Sequence, residues 1–231
     1  MKKYRIAIVL ILLLSLFVFA ACKKTPKEEK TGLEKLVSTY HDAVYVGANE
    51  DFTADFITGE CEKLIVIDGE VGELTPFATL TVTPLSAELF NNTYTYVLKG
   101  ENGEKSGELI KDVVGASFSA EVKEGKEIGK ILSVLVKAEG ILESEVMMKD
   151  KLEGAISWKE ALALAEKELK DAITQESDTG NLQREIYIKL VNALGNDDAP
   201  YYYYVSFIKS PAEYWALLLD PTTGEVISKK V

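Results

Sequence analysis

Histidine is nearly absent from this chain: His41 is the only one in 231 residues. A two- or three-histidine metal site is therefore impossible within one copy, and a Ser-His-Asp or Cys-His arrangement would have to use that residue. Cysteine is almost as scarce, limited to Cys22 and Cys61, and the 24 lysines face only 2 arginines. No glycine-rich phosphate loop, Gly-x-Ser-x-Gly elbow, His-Glu-x-x-His pair or Cys-x-x-Cys pair occurs. The residues therefore name no catalytic centre, no cofactor and no metal. Positive charge is also in deficit, with 26 Lys and Arg against 37 Asp and Glu, a net charge of −11 and a pI near 4.8. Nucleic-acid binding needs a basic face, so that class is excluded.

The positive charge that exists is placed unevenly. Lys2, Lys3 and Arg5 precede an apolar run from Ile6 to Ala21. That run falls short of the roughly 20 residues that span a bilayer, which favours a secretory signal peptide over a retained transmembrane helix. The stretch Phe19-Ala20-Ala21-Cys22 resembles the bacterial lipoprotein box. The resemblance implies a signal peptide over 1–21, cleavage before Cys22, and attachment of acyl chains such as palmitate at Cys22. It also implies an exported chain held at the extracytoplasmic face of a bacterial membrane. Lys23 to Lys30 contain no apolar residue, and 22–30 read as a flexible tether. With Cys22 acylated, Cys61 has no disulfide partner in the chain. Its neighbours Glu60 and Glu62 disfavour a thiolate, so it reads as a packed side chain.

The expected fold class is α+β. Residues 31–150 read as an acidic, antiparallel β-rich domain with an N-terminal helix. Leu33, Leu36, Val37, Tyr40 and Val44 recur at helical spacing after Thr31, with Glu34 in the capping-box position and Gly47 as the stop. His41 then sits on a surface helix as an ordinary polar side chain. Strand-like runs follow at Lys63–Asp68, Phe77–Thr83, Thr93–Lys99, Glu108–Val113, Ser117–Val122, Lys130–Lys137 and Ile141–Met148, an antiparallel meander forming a sandwich or an open barrel. These residues hold 22 acids against 10 bases. Such a field draws cations or a basic partner, or simply keeps the surface soluble.

Residues 151–231 read as a second unit. Ser157 and Glu160 form a capping box ahead of a stripe of Ala161, Leu162, Ala165 and Leu169. Strands are expected at Arg184–Leu194, Tyr201–Ile208, Glu213–Leu219 and Glu225–Ser228. The run Ile156-Ser157-Trp158-Lys159-Glu160-Ala161, then Tyr202-Tyr203-Tyr204-Val205, then Asp220-Pro221-Thr222-Thr223-Gly224-Glu225-Val226-Ile227 resembles the PepSY family in order and spacing. The resemblance implies a small helix-on-antiparallel-sheet domain that binds peptidases or neighbouring envelope proteins, without catalysis. Asp220, Thr223 and Gly224 are expected to build a hairpin turn.

Two further groups stand out. Tyr202, Tyr204, Tyr214 and Trp215 form a possible binding face for a peptide or glycan. Asn196-Asp197-Asp198 lacks the full calcium loop and suits a turn better. A carboxylate pair for glycoside hydrolysis is not singled out by any spacing. The function expected is a membrane-anchored, non-enzymatic protein-binding lipoprotein, with modulation of a peptidase as one form. The alternative is a lipoprotein that captures a cation, peptide or glycan.

Overall fold

The computed structural model describes residues 32–63, 67–113, 116–177, 180–192 and 199–231. The expected signal peptide, Cys22 and tether lie outside the described residues, as do Asn196-Asp197-Asp198 and part of the expected strand Lys63–Asp68.

Where a helix was expected, a single 3-10 turn, Gly32–Leu36, leads into a twelve-residue strand, β1, Val37–Ala48. The helical spacing misled because β1 is buried on both faces, so its apolar side chains fall at both parities of a period-two element. Val44, Tyr45 and Val46 are consecutive and all buried. Thr39, Val44 and Val46 are also β-branched, which favours extended backbone once both faces are covered.

The remaining strands follow in chain order. They are β2 Phe52–Glu62, β3 Leu74–Pro84, β4 Tyr94–Gly100, β5 Gly103–Lys111, β6 Phe118–Glu121, β7 Ile131–Ala138, β8 Leu142–Met147 and β9 Lys149–Asp150. Helices α1, Trp158–Glu168, and α2, Lys170–Ser177, come next. The chain ends with β10 Glu185–Asn192, β11 Tyr201–Ser210, β12 Glu213–Leu219 and β13 Val226–Lys230.

Among the described residues these thirteen strands form one mixed sheet, in the order β13-β12-β11-β10-β1-β2-β3-β6-β5-β4-β7-β8. The chain passes from β8 into β9, and β9 pairs with β1 through Tyr45–Asp150 and Val46–Lys149. The β1-to-β8 portion therefore closes on itself around an apolar interior that includes Phe52, Phe56, Leu80, Tyr94, Leu98, Phe118 and Val134. The seam is fastened by Asn49, whose Nδ2 donates to Ser144 Oγ at 2.9 Å and to the Glu145 carbonyl at 3.0 Å.

The expectation of an antiparallel β-rich domain followed by a separate small helix-on-sheet unit is overturned. β10 pairs in parallel with β1, with Val37 opposite Ile186 and Tyr40 opposite Ile188, so one sheet runs through both regions. The physical reason is the second core. Ala161, Leu162, Ala165 and Leu169 of the helical segment pack with Ile186, Ile188, Val205, Phe207 and Leu217, but also with Val37, Val44 and Val46 of β1. Four strands and a helix do not complete this core without that strand. The simple meander is corrected too, since β6 inserts between β3 and β5 and β4 pairs with β7.

The closure makes a severe demand at Gly47. A Cβ there would lie far inside contact distance of the Met147 carbonyl oxygen and at 2.9 Å from Val146 Cγ1. Because the obstacle is backbone, β1 and β8 would have to separate. Gly47→Ala is expected to destabilise the fold by about 3 kcal/mol through overpacking, measured by chemical denaturation. A loss below about 1 kcal/mol would contradict close packing at this seam.

Candidate functional site

The sheet β10–β13 has one face beneath the helix and an opposite face without a helix, on which Glu185, Ser206 and Ala216 are buried and the tyrosines are half-buried. The helix begins with both expected capping bonds: Ser157 Oγ accepts from the Glu160 amide at 3.2 Å, and the Ser157 amide donates to Glu160 Oε2 at 2.8 Å. Its apolar stripe then lies across Tyr203, Val205, Phe207, Leu217 and Leu219. Tyr203, buried beneath the helix, donates its hydroxyl to the Ile156 carbonyl at 2.8 Å. Burial, with the Glu160 charge second, pushes that phenol up to about 12.

The β12–β13 turn locks the same arrangement from below. Asp220 Oδ1 accepts from the amides of Thr222 and Thr223 at 2.8 Å each, and the Gly224 amide donates to the Asp220 carbonyl at 2.9 Å. Those amide bonds hold the Asp220 carboxyl below its ordinary range. Gly224 has φ +73°, and Leu164 of α1 occupies the place a Cβ would take. Asp220, Thr223 and Gly224 are thus turn-forming residues with no open substrate position.

Register assigns the expected binding face. Tyr187, Ser206, Ala216 and Lys230 form one cross-strand row, and Lys189, Tyr204, Leu218 and Ser228 form the next. Tyr202 continues the β11 line, and Tyr214 pairs with Ile208. Tyr202, Tyr204 and Tyr214 therefore share the face opposite the helix, and each is half-buried. The Lys230 ammonium lies 3.3 Å from the Tyr214 ring centroid. Trp215 does not join them. It stands on the helix side, 6.3 Å from the Phe207 ring centroid and 3.7 Å from the Arg184 guanidinium carbon.

Arg184 is a feature that sequence reasoning passed over. It is 2% exposed and reaches Glu176 Oε2 through Nε at 2.9 Å and Nη2 at 2.7 Å, Glu213 Oε1 at 3.2 Å, and the Phe207 carbonyl at 3.4 Å. A buried planar cation with a forked donor set suits this bracing of α2 against β11 and β12. Its being one of only two arginines in a lysine-rich chain was the available signal.

At one end of the closed portion lies a cleft of about 990 Å³. Tyr94, Leu109 and Leu142 form its inner wall, and Glu108, Glu139 and Glu143 carry charge around it. Glu143 is engaged by Lys137 at 3.1 Å. The Tyr94 hydroxyl donates to the Leu89 carbonyl at 2.6 Å, so the wall's polar tip is already satisfied.

His41 is not a surface residue. It precedes the β1 bulge at Asp42, and its Nδ1 accepts the Leu190 amide at 3.3 Å. Gly59, opposite on β2, leaves room for Phe77 to reach over to His41, with ring centroids 6.2 Å apart. Burial pushes the imidazole down to about 4, the Lys189 charge adds to this, and Asp42 opposes it. Cys61 is likewise a packed residue: burial raises its thiol, with Lys189 opposing. Neither is placed as a catalytic group. Among the described residues no three His, Cys, Asp or Glu side chains gather as metal ligands, and no helix is long and apolar enough to cross a membrane.

No protein family, curated protein or solved structure matches this chain.

The buried imidazole has a pH consequence with a definite sign. Between pH 6.5 and about 4 the unfolded chain binds a proton that the folded chain refuses. Its contribution is therefore complete above pH 6.5 and is lost as pH falls toward 4. His41→Gln removes this titration while leaving the carboxylates common to both proteins. On going from pH 7 to pH 4.5, wild type is expected to lose roughly 2–3 kcal/mol more than the variant in urea denaturation. Parallel losses would contradict a buried neutral imidazole.

Proposed function

We propose that this chain is a membrane-anchored cell-envelope lipoprotein whose folded body is a non-enzymatic protein-binding module. The observation that carries the reading is the half-exposed tyrosine face that no helix covers. Helix α1 covers one side of β10–β13, whereas among the described residues no helix packs on the side bearing Tyr202, Tyr204, Tyr214, Ile208 and Leu218. Tyrosines present large, rigid, amphipathic area at low entropic cost, which suits protein contact. The Phe19-Ala20-Ala21-Cys22 stretch supports anchoring, and a lipid at Cys22 would hold the body at the membrane surface, where its partners are proposed to lie. The scarcity of nucleophile–base combinations supports binding over catalysis.

The cleft of about 990 Å³ favours a second reading, capture of a small ligand such as a cation, peptide or glycan, because its size matches small-molecule sites.

A photo-crosslinking amino acid at Tyr204 in the lipidated full chain, incubated with its native membranes, tests the first reading. The expected result is a discrete cross-linked protein that is lost on Tyr202→Ser with Tyr214→Ser. It should be absent when the probe replaces Glu101, and weakened when Cys22→Ala releases the chain from the membrane. No discrete product, or the same product from Glu101, would overturn the protein-binding reading and leave the cleft as the stronger candidate.

A further inference from the structure

The strand ends that border the cleft carry two rows of contrasting chemistry. Register places Leu109 of β5 opposite Tyr94 of β4, and Ala138 of β7 opposite Leu142 of β8, and these residues form an inward apolar row. One residue along each strand, Glu108 pairs with Thr95, Thr95 with Lys137, and Lys137 with Glu143, an outward row across the same four strands. Successive residues of a strand point to opposite faces, so an apolar wall and a charged wall stand side by side along the cleft. Four neighbouring strands, with three gaps of about 4.8 Å, give the cleft a length of about 14 Å, the span of roughly four extended residues.

The charge along the cleft is one-sided. Glu108, Glu139 and Glu143 face a single base, Lys137. Lys137 is already committed to Glu143 at 3.1 Å, and among the described residues neither Glu108 nor Glu139 joins an ion pair. The apolar side also reaches solvent. Ile110, directly after Leu109, is 73% exposed, and Ile141, directly before Leu142, is 65% exposed, so a large apolar side chain stands bare at each end of the row. Apolar groups left exposed around a cleft mark a contact site. A sugar ring finds no stacking platform, because Tyr94, the aromatic residue of the lining, is 2% exposed. Among the described residues no three carboxylates gather to hold a bare metal ion.

We propose that the cleft binds a short basic peptide segment in which positively charged and apolar side chains alternate. Laid across the strand ends in extended form, such a segment turns its apolar side chains toward Leu109 and Leu142 and its basic ones toward Glu108 and Glu139. Its charges complement carboxylates that have no cationic partner, and the acidic body as a whole draws it in. The inference rests on the second reading above, ligand capture by the cleft, and uses none of the tyrosine face.

A fluorescently labelled Lys-Leu-Lys-Leu-Lys peptide, titrated with the full chain and followed by fluorescence anisotropy, gives the test. Glu-Leu-Glu-Leu-Glu and Lys-Ser-Lys-Ser-Lys serve as comparisons. Saturable binding is expected for the first peptide alone, and it should weaken as salt rises. Glu108→Gln with Glu139→Gln, both at exposed positions, is expected to weaken it about fivefold, and Ile141→Ser about threefold. Glu101→Gln with Glu104→Gln makes the same charge change at the far hairpin of β4 and β5 and is expected to leave binding unchanged. Equal weakening by the two pairs would mean attraction to the acidic surface at large and would overturn the site. Tighter binding of Glu-Leu-Glu-Leu-Glu, lost in Ile141→Ser, would overturn the basic class while upholding capture by the cleft. No Ile141-dependent binding of any of the three peptides would overturn both.

Discussion

One strand, β1, holds the structure together because each of its edges and each of its faces is used. β2 lies along one edge. The other edge is divided, with β10 in parallel along its first half and β9 antiparallel near its end. Its side chains divide as well: Tyr45 enters the closed core, while Val37, Val44 and Val46 enter the core beneath the helix. The changeover falls at the Asp42 bulge. There the His41 ring takes the Leu190 amide that the interrupted ladder leaves over, and the Val44 carbonyl accepts the Lys151 amide at 2.8 Å. Buried main-chain groups must be paired, so a side-chain acceptor at the bulge is what lets one strand change partners without an orphaned amide.

This arrangement explains what local reading of the sequence caught and what it missed. Strands from β3 to β8 announce themselves by alternation bounded by turns; Tyr94, Tyr96 and Leu98 point inward while Thr95 stays exposed. The Ser157–Glu160 capping box and the Asp220–Gly224 turn are local devices, and each is formed by residues within a few positions of one another. β1 was misread because burial on both faces erases alternation and lets Leu36, Val37, Tyr40 and Val44 mimic a helix. β2 lies outside the expected runs although Phe52, Ala54 and Phe56 alternate, because the continuous apolar run after Lys63 is the stronger local strand signal. The parallel pairing of Val37 with Ile186 joins residues far apart in the chain. No periodicity reports such a contact, and with it went the expectation of two separate units.

The candidate surfaces inherit their character from the same geometry. A helix laid on one side of β10–β13 leaves alternate residues of each strand on the other side, which is how Tyr202, Tyr204 and Tyr214 come to share one face while Trp215 is drawn inward. The aromatic composition was legible, but the partition of Tyr214 from Trp215 needed the register.

The central claim is that β1 makes the two cores one cooperative body. Both tryptophans, Trp158 and Trp215, lie at the helix-side core, so their fluorescence reports that core alone, while far-ultraviolet circular dichroism reports the strands of the whole sheet. Denaturant unfolding followed by both probes is expected to give coincident transitions with one midpoint. Tryptophan fluorescence that changes at clearly lower denaturant, with most strand signal retained, would show that the helix-covered layer unfolds without the closed portion and would contradict the claim.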